Sequence, residues 1–231
     1  MEIVRNVQSE AVFSQSKVFI KESWSYLYLK RFIDIVGSFA GLILLSPLFL
    51  IVSILIKIED LKAPIFFKQV RIGKNGNHFH IYKFRSMMSN AEERLKRDKR
   101  LYEKYLKNNY KLEQDEDPRI TRLGRTLRRT SLDEIPQLIN VLKGEMSLVG
   151  PRPIVQDEIE EYKNKKDEFL SVKPGMTGYW QISGRSEINY PERCDLELYY
   201  VHNKSLWFDI EILFKTVIIV ILKRVHIKLI C

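Results

Sequence analysis

The chain is poor in cysteine, with Cys194 and Cys231 alone among 231 residues. Two thiols so far apart exclude a disulfide framework or a zinc site and fit a reducing, cytosolic setting. The 4 histidines are equally uninformative: His78, His80 and His202 lack the spacing of metal ligands and read as surface or strand residues. No internal repeat or low-complexity tract occurs. The sharpest absence is local, because no charged residue lies between Ile35 and Ile56. That run exceeds the ~18 residues that mark a membrane-embedded helix candidate. It begins after a polar stretch with aromatics, and no small-residue cleavage site follows a short apolar core, which argues against a removable signal peptide.

What is present is an ordinary folding composition, 45% apolar and 29% charged, with a mean hydropathy of −0.21 that hides the segregated apolar run. The length suits one domain or a domain with an appendage. A net charge of +9 argues against an acidic disordered tail and favours an anionic membrane surface or phosphate-bearing ligands. Both flanks of the apolar run are basic: Lys30 and Arg31 precede it, and Lys57, Lys62, Lys68, Arg71 and Lys74 follow it, against Glu59 and Asp60. Basic flanks prefer the cytoplasmic side, so a helix that enters, bends and returns satisfies both. Ser46-Pro47 supplies the bend, since proline removes a helical hydrogen bond and a serine hydroxyl can take up a freed carbonyl. On flank charge alone, a kinked span and a re-entrant hairpin both stay open. From Trp207 to Ile230 a second apolar stretch, interrupted by Lys215 and closed by Lys223, Arg224, His226 and Lys228, suits either a helix in the headgroup layer or a buried core helix.

Between these segments, Pro64 to Phe67 and His78 to Arg85 predict two short strands joined by a turn at Asn75-Gly76. Residues 91 to 113 predict one solvated, charge-rich helix. The fold class is mixed α/β dominated by helices, with a small β element. The densest constellation runs from Arg119 to Leu138: Arg122, Arg125, Arg128 and Arg129 lead into Asp133-Glu134, and Pro136 predicts a helix that starts near Asp133 and stops at Gly144. Both carboxylates would then sit at the positive end of a helix dipole. Ser131 with Glu134 also matches a capping box, the plainer reading of that pair. Its company shifts the balance toward chemistry. Lys83-Phe84-Arg85-Ser86-Met87 lies upstream, and Gly150-Pro151-Arg152-Pro153, a stiff loop presenting one guanidinium, lies downstream. Arginine forks match phosphate oxygens and lysine adds a point charge.

The ordered set Lys30-Arg31, Ser46-Pro47, Lys83 to Met87, Ser131 to Gln137, Ser147 to Pro153 and Lys173-Pro174-Gly175-Met176-Thr177-Gly178-Tyr179-Trp180-Gln181 resembles the bacterial sugar transferase family. These are the monotopic polyprenol-phosphate phosphoglycosyl transferases, and the likeness covers about residues 30 to 222. It implies a re-entrant helix-break-helix at Ser46 and Pro47, and a two-step transfer of a hexose-1-phosphate from a UDP-sugar to polyprenol (undecaprenyl) phosphate. Asp133 is implied as nucleophile and as the carboxylate nearest a Mg²⁺ ion, and Glu134 as a group that orients or shuttles a proton. Lys83, Arg85, Arg128 and Arg152 are implied as phosphate and nucleotide contacts. Gly184-Arg185 resembles members that handle hexose-1-phosphates, so UDP-glucose or UDP-galactose is expected ahead of N-acetylated donors. Trp180 reads equally well as core. Met1 to Leu29 is too short for the extra four-helix region of long members, so a short form is expected.

The expected layout is an N-terminal arm over 1–29, a re-entrant membrane helix over 30–60, a compact cytoplasmic catalytic domain over 61–204 and an amphipathic membrane-associated segment over 205–231. Expected partners are the UDP-sugar, polyprenol phosphate, membrane lipid and a possible second copy of the chain, on the cytoplasmic face of the bacterial inner membrane. A non-catalytic peripheral adaptor of a polysaccharide assembly explains the charge and the apolar segments, but not the joint occurrence of the carboxylate pair, the arginine cluster and the Pro-Arg-Pro loop. Nucleic-acid binding is disfavoured because the basic residues are interleaved with acidic ones.

Overall fold

The structure, a computed structural model, describes residues 23–107, 112, 115–184 and 188–230. Most of the expected N-terminal arm, Arg185 and Cys231 therefore lie outside the described residues. The uncharged run folds into α1 (Trp24–Leu44) and α2 (Ser46–Glu59), which meet at Leu45 with a bend of 59°. Pro47 lies in the first turn of α2, where its ring would press on the Ile43 carbonyl of a straight helix and has no N–H to offer it. The Ser46 hydroxyl donates to that carbonyl instead, at 2.8 Å. No single helix among the described residues is long and apolar enough to cross a membrane, whereas the bent pair meets that measure together.

Three charged residues on one face of α1 tie it to the rest. The Lys30 ammonium donates to Asp209 Oδ2 at 2.7 Å and to the Val149 carbonyl at 3.0 Å. The Arg31 guanidinium donates to the Val141 and Leu142 carbonyls at 2.7 and 2.8 Å, and Asp34 accepts from Ser147 Oγ and the Leu148 amide at 3.0 and 2.8 Å. Lys57 likewise donates to the Leu61 and Ala63 carbonyls at 3.0 and 2.8 Å. Lys30, Arg31 and Lys57 of the basic flanks therefore also act as structural clasps, a role their flank position did not suggest.

The body begins with the expected hairpin, β1 (Phe66–Ile72) against β2 (His78–Phe84), antiparallel with Phe66 opposite Phe84. Asn75 and Gly76 turn it with left-handed backbone, φ 59° and 79°. The charge-rich stretch departs from expectation, forming α3 (Ala91–Arg97) and α4 (Lys99–Lys107) broken at Asp98. The Asp98 carboxylate accepts from the Leu101 amide at 3.1 Å and so starts a new helix where one was expected to continue. Then come α5 (Arg122–Arg129), capped by Thr121 Oγ1 accepting from the Gly124 amide at 2.8 Å, and α6 (Gln137–Lys143), which ends at left-handed Gly144 as expected. β3 (Ser147–Val149) pairs in parallel with β4 (Gly175–Thr177), a second sheet that the sequence reading did not anticipate. α7 (Lys166–Phe169), α8 (Tyr179–Ser183), α9 (Glu192–Asn203) and α10 (Leu206–Ile230) complete the helix-dominated fold.

The inner face of α2, through Val52 and Ile56, packs with Phe84 of β2 and Leu127 of α5. α10 buries Asp209 and Ile212 against the body. The opposite faces stay uncovered: Phe32, Phe39 and Leu44 of α1, Leu50 and Ile54 of α2, and Trp207 and Phe214 of α10 are all exposed, Leu44 at 77%. An apolar surface of that extent marks an interaction site in a folded chain.

Gly124 fixes α5 against the hairpin, because a Cβ there would come 2.0 Å from the Ser86 carbonyl oxygen. Gly124→Ala is expected to lower stability by about 1–3 kcal/mol through forced backbone displacement, read as a fall in thermal unfolding temperature. The same displacement moves Ser86, the partner of Arg128.

Candidate active site

The chain leaves α5 through Thr130 and left-handed Ser131 (φ 57°) into a single 3-10 turn, Leu132–Glu134, before Pro136 opens α6. This corrects two expectations. Asp133 and Glu134 do not start α6, and the Ser131 side chain makes no cap. Ile135 and Pro136 keep right-handed helical backbone between this turn and α6, so the pair sits just ahead of α6 rather than in its first turn. Burial and neighbouring side chains set the charge of Asp133.

Lys83, from β2, donates to Glu134 Oε1 at 2.7 Å. Asp133 is 9% exposed, and its carboxyl is pushed up to about 6, first by burial and then by repulsion from Glu134, with Lys83 and Arg128 pulling it back down. Arg128, from α5, is held by donating its Nε to Ser86 Oγ at 2.8 Å, and burial lowers its own pKa. The turn therefore presents a recessed carboxyl, a neighbouring carboxylate and two cations.

Beside it runs a narrow cleft. Lys83, Glu134 and Gln137 form one wall, and Arg152, Gly175 and Gln181 another. The β3–β4 pairing builds the second wall: the Gly150 amide donates to the Thr177 carbonyl at 2.9 Å and the Gly175 amide to the Pro151 carbonyl at 2.8 Å, which sets the Pro-Arg-Pro loop next to β4. Arg71, on β1, also lines the cleft, donating to the Pro153 carbonyl at 3.3 Å. Burial, followed by the nearby Arg152 charge, pushes Arg71 down to about 10. Two buried polar atoms of the lining, Arg71 Nε and Gln181 Oε1, have no hydrogen-bond partner, although buried polar groups are normally satisfied. Such atoms suit a polar ligand.

Of the residues expected here, Lys83, Glu134 and Arg152 come together in the cleft, with Asp133 and Arg128 adjoining. Arg85 does not join them. Its side chain acts on Asp60, and its buried Nε lacks a partner. His78 and His80 lie in β2, and His202 pairs with Glu168 at 2.7 Å, away from any such grouping. Ser46 and Pro47 form the bend already described. Among the described residues no three His, Cys, Asp or Glu side chains converge on one metal position.

The pattern of the bacterial sugar transferase family matches residues 25–223. The chain belongs to that family. An undecaprenyl-phosphate galactose phosphotransferase of Salmonella typhimurium is 47% identical over 197 residues, 84% of this chain and 40% of that protein. The exopolysaccharide production protein ExoY of Sinorhizobium fredii is 45% identical over 199 residues, 84% of this chain and 86% of that protein. A UDP-N-acetylgalactosamine-undecaprenyl-phosphate N-acetylgalactosaminephosphotransferase of Aeromonas hydrophila is 37% identical over 198 residues, 83% of this chain and 43% of that protein.

In this sugar transferase the supports of the Arg152 loop were missed by sequence reading. Glu197, 1% exposed on α9, accepts from Arg193 Nε at 3.1 Å, from the Arg152 amide at 3.4 Å and from the Tyr162 hydroxyl. Trp180 is buried, as the core reading expected, and also lies 4.5 Å from the Arg193 guanidinium and 5.6 Å from that of Arg152. Gln137 and Gln181 sat inside quoted motifs without being singled out. Arg71 had been read only as a flank charge.

Carbon-detected titration of Asp133 in the cation-free protein is expected to give a midpoint near 6. Glu134→Gln removes a like charge and lowers the midpoint, whereas Lys83→Met removes an opposite charge and raises it. Unchanged midpoints in both variants would contradict the assigned causes.

Proposed function

We propose that this sugar transferase moves a hexose-1-phosphate from a UDP-sugar to polyprenol phosphate through a phospho-sugar carried covalently on Asp133. The observation that carries this reading is the recessed Asp133 carboxyl flanked by Lys83 and Arg128 beside a cationic cleft. Asp133 Oδ attacks the phosphorus that bears the sugar. The bond from that phosphorus to the bridging oxygen breaks, and UMP leaves with the oxygen and its electron pair. An oxygen of polyprenol phosphate then attacks the same phosphorus and expels the Asp133 carboxylate, giving a diphosphate-linked sugar. Splitting the transfer lets one site meet a water-soluble donor and a lipid acceptor in turn.

Lys83, Arg71 and Arg152 supply positive charge along the cleft for the diphosphate, with Arg152 held by the Glu197 network. Glu134 fixes the Lys83 ammonium and stands where it can relay a proton. The donor set suits Mg²⁺, which takes one or two carboxylates together with substrate phosphates and needs no all-protein cage. Asp133 is the carboxylate assigned to hold it, and when bound it offsets charge on the diphosphate and on departing UMP. Greater identity to a named galactose enzyme than to a named N-acetylgalactosamine enzyme supports an unmodified hexose, galactose or glucose.

The uncovered faces of α1, α2 and α10 support a monotopic placement, with the bent pair re-entering the cytoplasmic leaflet of the inner membrane and the cleft held at its surface. Single cysteines at Trp24 and Leu61 are then expected to label from the cytoplasmic side alone. Opposite-side labelling of either would require a true span.

Incubation of the full chain with labelled UDP-hexose, Mg²⁺ and polyprenol phosphate is expected to release UMP and move label into the organic phase. With donor alone, intact-mass analysis should show a phospho-hexose adduct. Asp133→Asn should cut UMP release by at least about 10³-fold and abolish the adduct while membrane association persists. Wild-type turnover in that variant removes Asp133 as nucleophile, and absence of turnover with every UDP-sugar tried favours a non-catalytic adaptor.

A further inference from the structure

A second cavity, about 180 Å³ in volume, lies between α1 and the body and shares no lining residue with the cleft. Lys30, Arg31 and Asp34 of α1 line it together with Lys74, Lys173 and Lys204. Cations outnumber the one carboxylate in that wall. Several of these groups have work to do within the fold: Lys30 is paired with Asp209, Arg31 grips the end of α6, and Asp34 receives two hydrogen bonds from β3.

Lys173 differs from them. Its half-buried ammonium makes no hydrogen bond or ion pair with any described residue, yet it is held close to another cation. A Cβ placed on Gly144 would lie 3.5 Å from both Lys173 Nζ and the Arg31 guanidinium carbon, so the two positive groups border one point. Burial lowers the pKa of Lys173, and the Arg31 charge lowers it further. A lysine that merely carried its charge out to water would not be held in this wall. The one carboxylate acting on Lys173 is Asp34, which is already engaged by β3, so the two adjoining cations leave an excess of positive charge that favours an anion. The volume limits its size, because pockets that enclose drug-sized ligands measure roughly 300 Å³ or more, which excludes a nucleotide sugar and admits a phosphate or a phosphoglycerol head.

We propose that this cavity binds the phosphate group of a small anionic ligand, with the Lys173 ammonium as its main contact and Arg31 beside it. The phosphate could be free in solution or belong to a lipid headgroup, since both offer the same oxygens to the same cations. The site is separate from the transfer reaction and stands whether or not that reading holds.

The test is the rate of acetylation of Lys173 in the full chain, read by peptide mass spectrometry, with exposed Lys62 as internal reference. In neutral detergent micelles, saturating inorganic phosphate is expected to slow Lys173 about tenfold while leaving Lys62 unchanged, as occupancy of one site requires. Sodium chloride at matched ionic strength is the control. In parallel, phosphatidylcholine nanodiscs are compared with discs containing phosphatidylglycerol. Protection by inorganic phosphate assigns the site to soluble phosphate, and protection only in the phosphatidylglycerol discs assigns it to a headgroup. Either result supports the proposal. No protection in either arm, or equal protection by chloride, overturns it. Phosphate in the cleft is distinguished by Lys83→Gln, in which Lys173 should still be protected. Loss of protection in that variant would place the binding in the cleft and also overturn the proposal. Lys173→Gln should lose part of the thermal stabilisation that phosphate gives the wild type, and an unchanged gain counts against the site.

Discussion

An apolar helix with one face open to its surroundings can be held in place only by its other face, and in α1 that face is charged. Lys30, Arg31 and Asp34 reach respectively into α10, α6 and β3, so one stretch of helix locks three separate elements. Each group is paired or hydrogen-bonded in a sparsely hydrated place. Removing one partner of such a pair strands the other, at a cost of about 3–5 kcal/mol when the pair is fully buried. The position of the body relative to the bent helices follows from these contacts. α2 adds a purely apolar seam through Val52 and Ile56.

The cleft is assembled from parts distant in sequence. Lys83 arrives on the hairpin, the carboxylates on a lone 3-10 turn, and Arg152 on a loop set by the short parallel pairing of β3 and β4. Burial raises Asp133 while the surrounding cations limit the rise, so its carboxyl sits between an ordinary surface acid and a permanently protonated one. Behind Arg152, Glu197 gathers the Arg152 amide, Arg193 and Tyr162. A buried carboxylate satisfied by several donors fixes its neighbours more firmly than any one of them could alone.

Much of this was legible in the sequence where a single residue type forces a local outcome. Ser46-Pro47 announced the bend, Asn75-Gly76 the hairpin turn and Gly144 the end of α6, because proline and left-handed positions leave the backbone little choice. Patterns that depend on context were misread. Ser131 and Glu134 have capping-box spacing, but Ser131 is left-handed and its side chain makes no cap, so the carboxylates fall in a 3-10 turn ahead of α6. The charge-rich helix looked continuous because Asp98 reads as one more surface acid until its carboxylate is seen capping α4. Lys30 and Arg31 looked like flank charges because nothing local reveals carbonyls more than a hundred positions away. Arg85 sat in the right motif and pointed elsewhere, since β2 ends at Phe84 and the shared face that alternation would give Lys83 and Arg85 does not extend past the strand. The β3–β4 pairing, with three residues in each strand, carries too little pattern to be seen beforehand.

The Ser46 hydroxyl has a consequence for the tip of the hairpin. A proline in a helix normally leaves a bare amide oxygen four residues back, and that oxygen draws water to itself. Here the Ile43 oxygen already holds the serine hydrogen, and around it Ile43, Leu44 and Leu50 turn hydrocarbon outward. The sharpest point of the backbone therefore carries no thirst for solvent at the carbonyl that proline would have orphaned, and the vertex is as oily in character as the two arms leading to it.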